Sequence, residues 1–144
     1  EKRLPRRLKA WLQPGCAFVV LRDQDSGDCV EIKKRLVSLC HQAGQPGALV
    51  RIACRELESF YLGDLETVAA AIGPASVARL SGKARYQDPD RLTNAAQELK
   101  RISPDYQKLS GSRAMGPQMR LEGNRSRSFN ALISGLNTLI GVVA

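Results

Sequence analysis

Two pairs of carboxylates stand out by type and spacing: Asp23 with Asp25, and Glu56 with Glu58, each pair at i and i+2. Each follows an apolar run, residues 16–21 (CAFVVL) and residues 48–54 (ALVRIAC). Carboxylates so spaced at the end of a strand can turn to one side and share a hard divalent cation. Mg²⁺ needs only one or two carboxylates, with water and a substrate phosphate completing its shell. The chemistry expected is therefore metal-assisted attack on a phosphate ester. Asp23 and Asp25 are the expected ligands of Mg²⁺ (or Mn²⁺), and Glu56 or Glu58 a further ligand or base. Arg22 and Arg55 each immediately precede an acidic pair, where they can neutralise it or hold a phosphate. Arg55 or Arg127 is the expected stabiliser of developing charge.

The plainer reading of the same residues is structural. Asp25 or Asp28 can cap the helix that follows, and Asp64 the helix at 65–72, while Glu56 and Glu58 can pair with arginines. Other chemistries are disfavoured. His41 is the only histidine, and beside Cys40 on a helix it faces another way, which nearly excludes a histidine-dependent mechanism. Cys16, Cys29, Cys40 and Cys54 lie 13, 11 and 14 residues apart with no C-x-x-C pair, against a zinc ribbon. Cys16 and Cys54 read as small core residues. Haloacid-dehalogenase-type phosphatases also carry D-x-D after a strand, the first Asp being the nucleophile. Here Ser26-Gly27 follows, where that family has Gly and then Thr or Val.

These side chains need a scaffold. Residues 16–21 and 48–54 read as strands, the first buried on both faces. A helix over 29–43, with Val30, Ile32, Leu36, Val37, Leu39 and Cys40 on its apolar face, lies between them. Strand, helix, strand implies a right-handed crossover and a parallel sheet. A basic helix over 3–13 carries Leu4, Leu8, Trp11 and Leu12. After residue 54 the pattern is helical: a strand-to-helix transition near Glu56, then 65–72, a short turn at 76–80, 91–101 capped by Asp90, 103–113, and a last helix from Ser126 or Ser128 to Ile140. Residues 81–89 and 114–127 read as irregular, and Phe60, Tyr61 and Trp11 as packing residues. The expected fold is a single α/β domain over 1–144. Helices cover both faces of a small parallel sheet, and residues 75–144 form a mostly helical extension.

The chain has 144 residues, 43% hydrophobic and 25% charged, an ordinary composition for one folded domain. No apolar run approaches the roughly 18 residues of a membrane helix, and residues 1–9 are too charged for a signal-peptide core, so a cytoplasmic location is expected. The net charge of +8 is uneven: residues 1–9 carry +4, residues 100–127 carry +5, and the segment between them −1. Basic flanks favour polyanions. Arg113, Arg120, Arg125 and Arg127, interspersed with serines, are the expected nucleic-acid contacts. Aromatics are only 5% of the chain, so base stacking is not a prominent mode.

The segment FVVLRDQDSGDC (residues 18–29), the segment RIACRELESFYLGD (residues 51–64) and the later RSRSF (residues 125–129) resemble a bacterial family, domain of unknown function 4276, related to TOPRIM domains. The resemblance spans most of residues 16–135. It implies a compact α/β sheet and Mg²⁺ held by a D-x-D, matched by Asp23 and Asp25, with Glu56 and Glu58 matching the family's own E-x-E. TOPRIM domains also place a glutamate after an earlier strand. Glu1 is the only acid before Asp23 here and has no strand before it, which implies either that a preceding N-terminal segment carries that glutamate or that the metal site is degenerate. Two functions are expected from all this. One is a Mg²⁺-dependent nucleic-acid phosphodiester hydrolase. The alternative, which the resemblance implies, is a non-catalytic partner of an ATPase in a bacterial defence system.

Overall fold

The computed structural model describes residues 1–11 and 13–141. It is an α/β protein whose sheet has two parallel strands, β1 (Val19–Asp23) and β2 (Leu49–Ala53), in register from Val19 opposite Leu49 to Asp23 opposite Ala53. Seven α-helices accompany them among the described residues. The first three are α1 (Leu4–Ala10), α2 (Cys29–Gln42) and α3 (Glu58–Leu62), the last of which opens the helical half. The rest are α4 (Leu65–Ala71), α5 (Ala95–Ile102), α6 (Lys108–Met115) and α7 (Arg127–Leu139).

The β1–α2–β2 crossover forms as the apolar pattern dictates. Asp28 caps α2 by accepting hydrogen bonds from the Val30 and Glu31 amides. Ile32, Leu36 and Cys40 then project from α2 onto Val50, while Leu8 of α1 joins the same cluster. The opposite face of β2 meets α7, where Arg51 Nε donates to the Ala131 carbonyl at 2.9 Å. Helices thus cover both faces of β2. β1 is less covered: Val19 and Leu21 are 43% and 40% exposed. The expected strand at 16–21 therefore shifts to Val19–Asp23, and Cys16 is exposed rather than in the core.

The larger core lies in the helical half, where Phe60, Leu62, Val68, Leu99, Met115 and Phe129 pack together. Phe60 and Phe129 meet edge to face, with centroids 5.4 Å apart. The sequence reading departs from the structure at several points. The basic helix ends at Ala10, Trp11 is 63% exposed, and Leu12 lies outside the described residues. Val30, assigned to the apolar face of α2, is 54% exposed. Residues 81–89, expected to be irregular, contribute the buried Tyr86. Asp90 caps no helix at 91–101. Its carboxylate is buried and accepts from the Ser126 hydroxyl (2.6 Å) and from the amide (2.8 Å) and hydroxyl (3.1 Å) of Ser128. The helix there starts only at Ala95. The last helix, expected from Ser126 or Ser128, starts at Arg127 with Ser126 as its cap, donating to Asp90 while accepting from the Phe129 amide.

Candidate carboxylate site at the strand ends

Both strands end at one rim, and the backbone there is locked. The Gln24 amide donates to the Ala53 carbonyl (2.9 Å) and the Asp25 amide to the Arg55 carbonyl (2.8 Å). The Arg55 amide donates to Gln24 Oε1 at 3.3 Å. Asp25 and Arg55 both adopt left-handed backbone, at φ 54° and 62°. Such conformations cost a side-chain-bearing residue roughly 1–2 kcal/mol and concentrate at functional sites. Here two of them face each other across the ends of adjacent strands.

Of the four expected carboxylates, the structure brings Asp23 and Glu58 together. Burial raises the Asp23 carboxyl above the usual carboxylate range, the negative charges of Glu58 and then Asp25 raise it further, and a hydrogen bond from the Leu57 amide and the charge of Lys108 oppose the rise. Glu58 begins α3 with its side chain only 3% exposed. One oxygen, Oε1, accepts from the Tyr106 hydroxyl at 3.0 Å and lies 3.7 Å from Lys108 Nζ. The other, Oε2, is buried with no hydrogen-bond partner. Leaving a buried carboxylate oxygen unsatisfied costs on the order of 1–3 kcal/mol, so this oxygen is a place for a further donor or cation. Tyr61, whose hydroxyl donates to Ser112 Oγ at 2.9 Å, lines the same region, and its phenol is pushed up by burial and by Glu58 and Asp23.

Glu56 and Asp25 take other places. Glu56 Oε2 accepts from the Ala96 amide at 2.8 Å in the first turn of α5, a helix whose own N-cap residue, Asn94, makes no side-chain cap. Asp25 is exposed on its turn. Among the described residues no three of His, Cys, Asp and Glu stand close enough to hold a metal ion. The two carboxylates that meet at the rim are Asp23, with its raised carboxyl, and Glu58, with its unpartnered oxygen. Two carboxylates lie within what Mg²⁺ uses. Asp28 and Asp64 are caps. Asp64 accepts from the Thr67 amide at the head of α4 and is clamped by Arg120.

The basic residues assigned to nucleic acid separate likewise. Arg120 is committed: its guanidinium bonds Asp64 through Nη2 (2.5 Å) and Nε (3.1 Å) and Glu66 through Nη1 (2.7 Å). Arg125 donates to the Ser81 carbonyl, and its amide bonds the Gly63 carbonyl at 3.0 Å. A Cβ at Gly63 would overlap Asn124 Oδ1, so only glycine lets the 124–126 segment lie this close to α3. The RSRSF segment is thus largely a structural clasp. Arg127 is 78% exposed and reaches Asp88 Oδ2 at 3.2 Å. Arg113 is exposed on α6 and enters no ion pair among the described residues. Sequence reasoning missed Tyr61, Tyr106, Ser112 and Lys108. The last three lie some fifty residues beyond the acidic motif, with no spacing signal to connect them to it.

Residues 2–137 match the family described as Domain of unknown function (DUF4276). No match was found among curated proteins or among solved structures.

Proposed function

The chain belongs to the DUF4276 family, and from that premise we propose that its strand-end rim is a Mg²⁺-dependent site for phosphodiester hydrolysis of nucleic acid. The observation that carries this reading is the buried, unpartnered Oε2 of Glu58 next to the raised carboxyl of Asp23. Two carboxylates crowded at the mouth of a parallel sheet repel one another, and a divalent cation relieves both the repulsion and the missing hydrogen bond. When bound, such an ion would polarise a phosphoryl oxygen and lower the pKa of an attacking water. Tyr106 and Lys108 hold Glu58 through Oε1, which leaves Oε2 without a partner among the described residues. Arg55, beside Glu56, is the residue proposed to meet the charge that develops on the phosphate. Glu56 serves this site by fixing α5 against the rim.

The test is cleavage of end-labelled single- and double-stranded nucleic acid with and without Mg²⁺ or Mn²⁺. Asp23→Asn and Glu58→Gln should each abolish metal-dependent cleavage while retaining the wild-type circular dichroism. Cleavage that persists in Asp23→Asn sinks the assignment. The second reading, a non-catalytic partner of an ATPase, is favoured by the commitment of Glu56 to α5, which leaves only two carboxylates at the centre. A wild-type chain that neither cleaves nor is stabilised by Mn²⁺ would favour it.

A further inference from the structure

We propose that the cleft along the open edge of β2, between α2 and α7, is the track on which a single strand of nucleic acid lies as it approaches the Asp23–Glu58 rim. The proposal rests on the phosphodiester reading above and adds to it the place where the polyanion is held. The cleft has a volume of about 1030 Å³. Its floor and walls are apolar, with Ile52 from β2, Val30 and Val37 from α2 and Ala131 from α7. The exposure of Val30, out of place on a core-facing helix, is explained by its position in this wall.

Six cations line the cleft, Lys33, Lys34, Arg51, Arg55, Arg91 and Arg127, against a single carboxylate, Asp90. Asp90 is already committed to Ser126 and Ser128. Lys33, Arg55 and Arg91 make no ion pair or side-chain hydrogen bond among the described residues. Arg51 donates only to the carbonyls of Ala131 and Val50, which orient its guanidinium and leave its charge uncompensated. Lys34 pairs with Glu31 at 2.9 Å and Arg127 with Asp88 at 3.2 Å, both at exposed sites where such pairs contribute little. The result is a positive field focused in a concave, apolar-walled groove.

A basic groove of this kind tracks the phosphates of a strand by charge, without an aromatic platform for its bases. The cleft also leads to the right place. Gln24 and Arg55 line it, and they are the two residues that lock the strand ends carrying Asp23 and the 56–58 acids. Phosphates seated here would run onto the rim. Arg113, Arg120 and Arg125 do not line this cleft, and Arg127 is the one residue of the expected basic tail that does.

The experiment is fluorescence anisotropy of a labelled oligothymidylate in EDTA, so that no metal chemistry enters, over a range of salt. The double variant Lys33→Glu/Arg91→Glu changes two exposed, unpartnered side chains and should melt like wild type. It should bind at least about tenfold more weakly, with a log–log salt slope shallower by about 1.4, two single-strand phosphate contacts' worth. Lys33→Gln/Arg91→Gln should fall between, and Arg113→Glu should bind like wild type. Unchanged affinity in the double charge reversal would overturn the proposal, as would an equal loss from Arg113→Glu. Thymidine monophosphate or polyglutamate competing as well as the oligonucleotide would instead make this a nucleotide or acidic-peptide site and overturn the strand assignment. A wild-type chain that shows no cleavage with Mg²⁺ but keeps the Lys33/Arg91-dependent binding would defeat the hydrolase reading and leave the cleft assignment standing.

Discussion

Glu58 carries a carboxylate into the interior, meets Tyr106 and Lys108 on one oxygen and leaves the other unsatisfied. Burial raises the carboxyl of its neighbour Asp23, and the charge of Glu58 raises it further. Because the Asp23 carboxyl is raised in the folded chain, the folded state holds that proton more tightly than the unfolded state does. Its contribution therefore favours folding at acid pH and is lost as pH rises through the raised value, so ionised Asp23 is a liability at neutral pH. Asp23→Asn should consequently raise the melting temperature at pH 7 in EDTA and lose the further stabilisation that Mn²⁺ gives wild type. Thermal melts with and without Mn²⁺ read both effects. A lower melting temperature together with a retained Mn²⁺ response would contradict this account of the rim.

At the scale of elements, the informative contact is Glu56 on the head of α5. The carboxylate comes from forty residues away and caps a helix that lacks a side-chain cap of its own. Removing an N-cap acceptor typically costs about 1 kcal/mol, and α5 forms one wall of the core through Ala95 and Leu99. Glu56→Ala is expected to lower stability by about that amount in urea unfolding, and Glu56→Gln, which keeps an acceptor oxygen, by less. If Glu56 were instead a metal ligand, Glu56→Gln would abolish cleavage as fully as Asp23→Asn, and the comparison decides between the two roles. The strand–helix–strand unit and the caps at Asp28 and Asp64 were legible in the sequence, because periodicity and capping are local. The role of Glu56 was not, since an i, i+2 pair of acids looks the same whether its members converge or diverge.

For the molecule as a whole, two carboxylate clamps tie the helical half together. Asp64, fully buried, would be raised by burial, but Arg120 and Thr67 outweigh that and hold it below the usual range. Glu98 is lowered mainly by Arg101, against the opposing effect of burial and with support from Tyr86 and Arg85. A carboxyl with a lowered folded pKa contributes stability above its ordinary range of about 4 and loses it as pH falls through the lowered value. Acid unfolding should therefore set in below about pH 4. Arg120→Ala leaves Asp64 buried without its cation. We expect a loss of about 2–3 kcal/mol at pH 7, less than the roughly 3–5 kcal/mol of a fully buried pair because Arg120 is half exposed. The deficit should shrink toward pH 3, where Asp64 of the variant protonates; a deficit independent of pH would assign Arg120 a packing role only.

The sequence by itself determined the βαβ unit, the helix caps at Asp28 and Asp64, the excess of basic charge and the presence of acids at the end of each strand. Each of these follows from spacing within a few residues, where chain geometry leaves little freedom. Tertiary structure decided which acids meet. It placed Asp23 beside Glu58, sent Glu56 to α5, buried Asp90 among serines, spent Arg120 and Arg125 on structure and set six cations along the cleft beside β2. The physical reason is that a charge is described by its surroundings, and those are supplied by segments forty or more residues away that no local pattern connects.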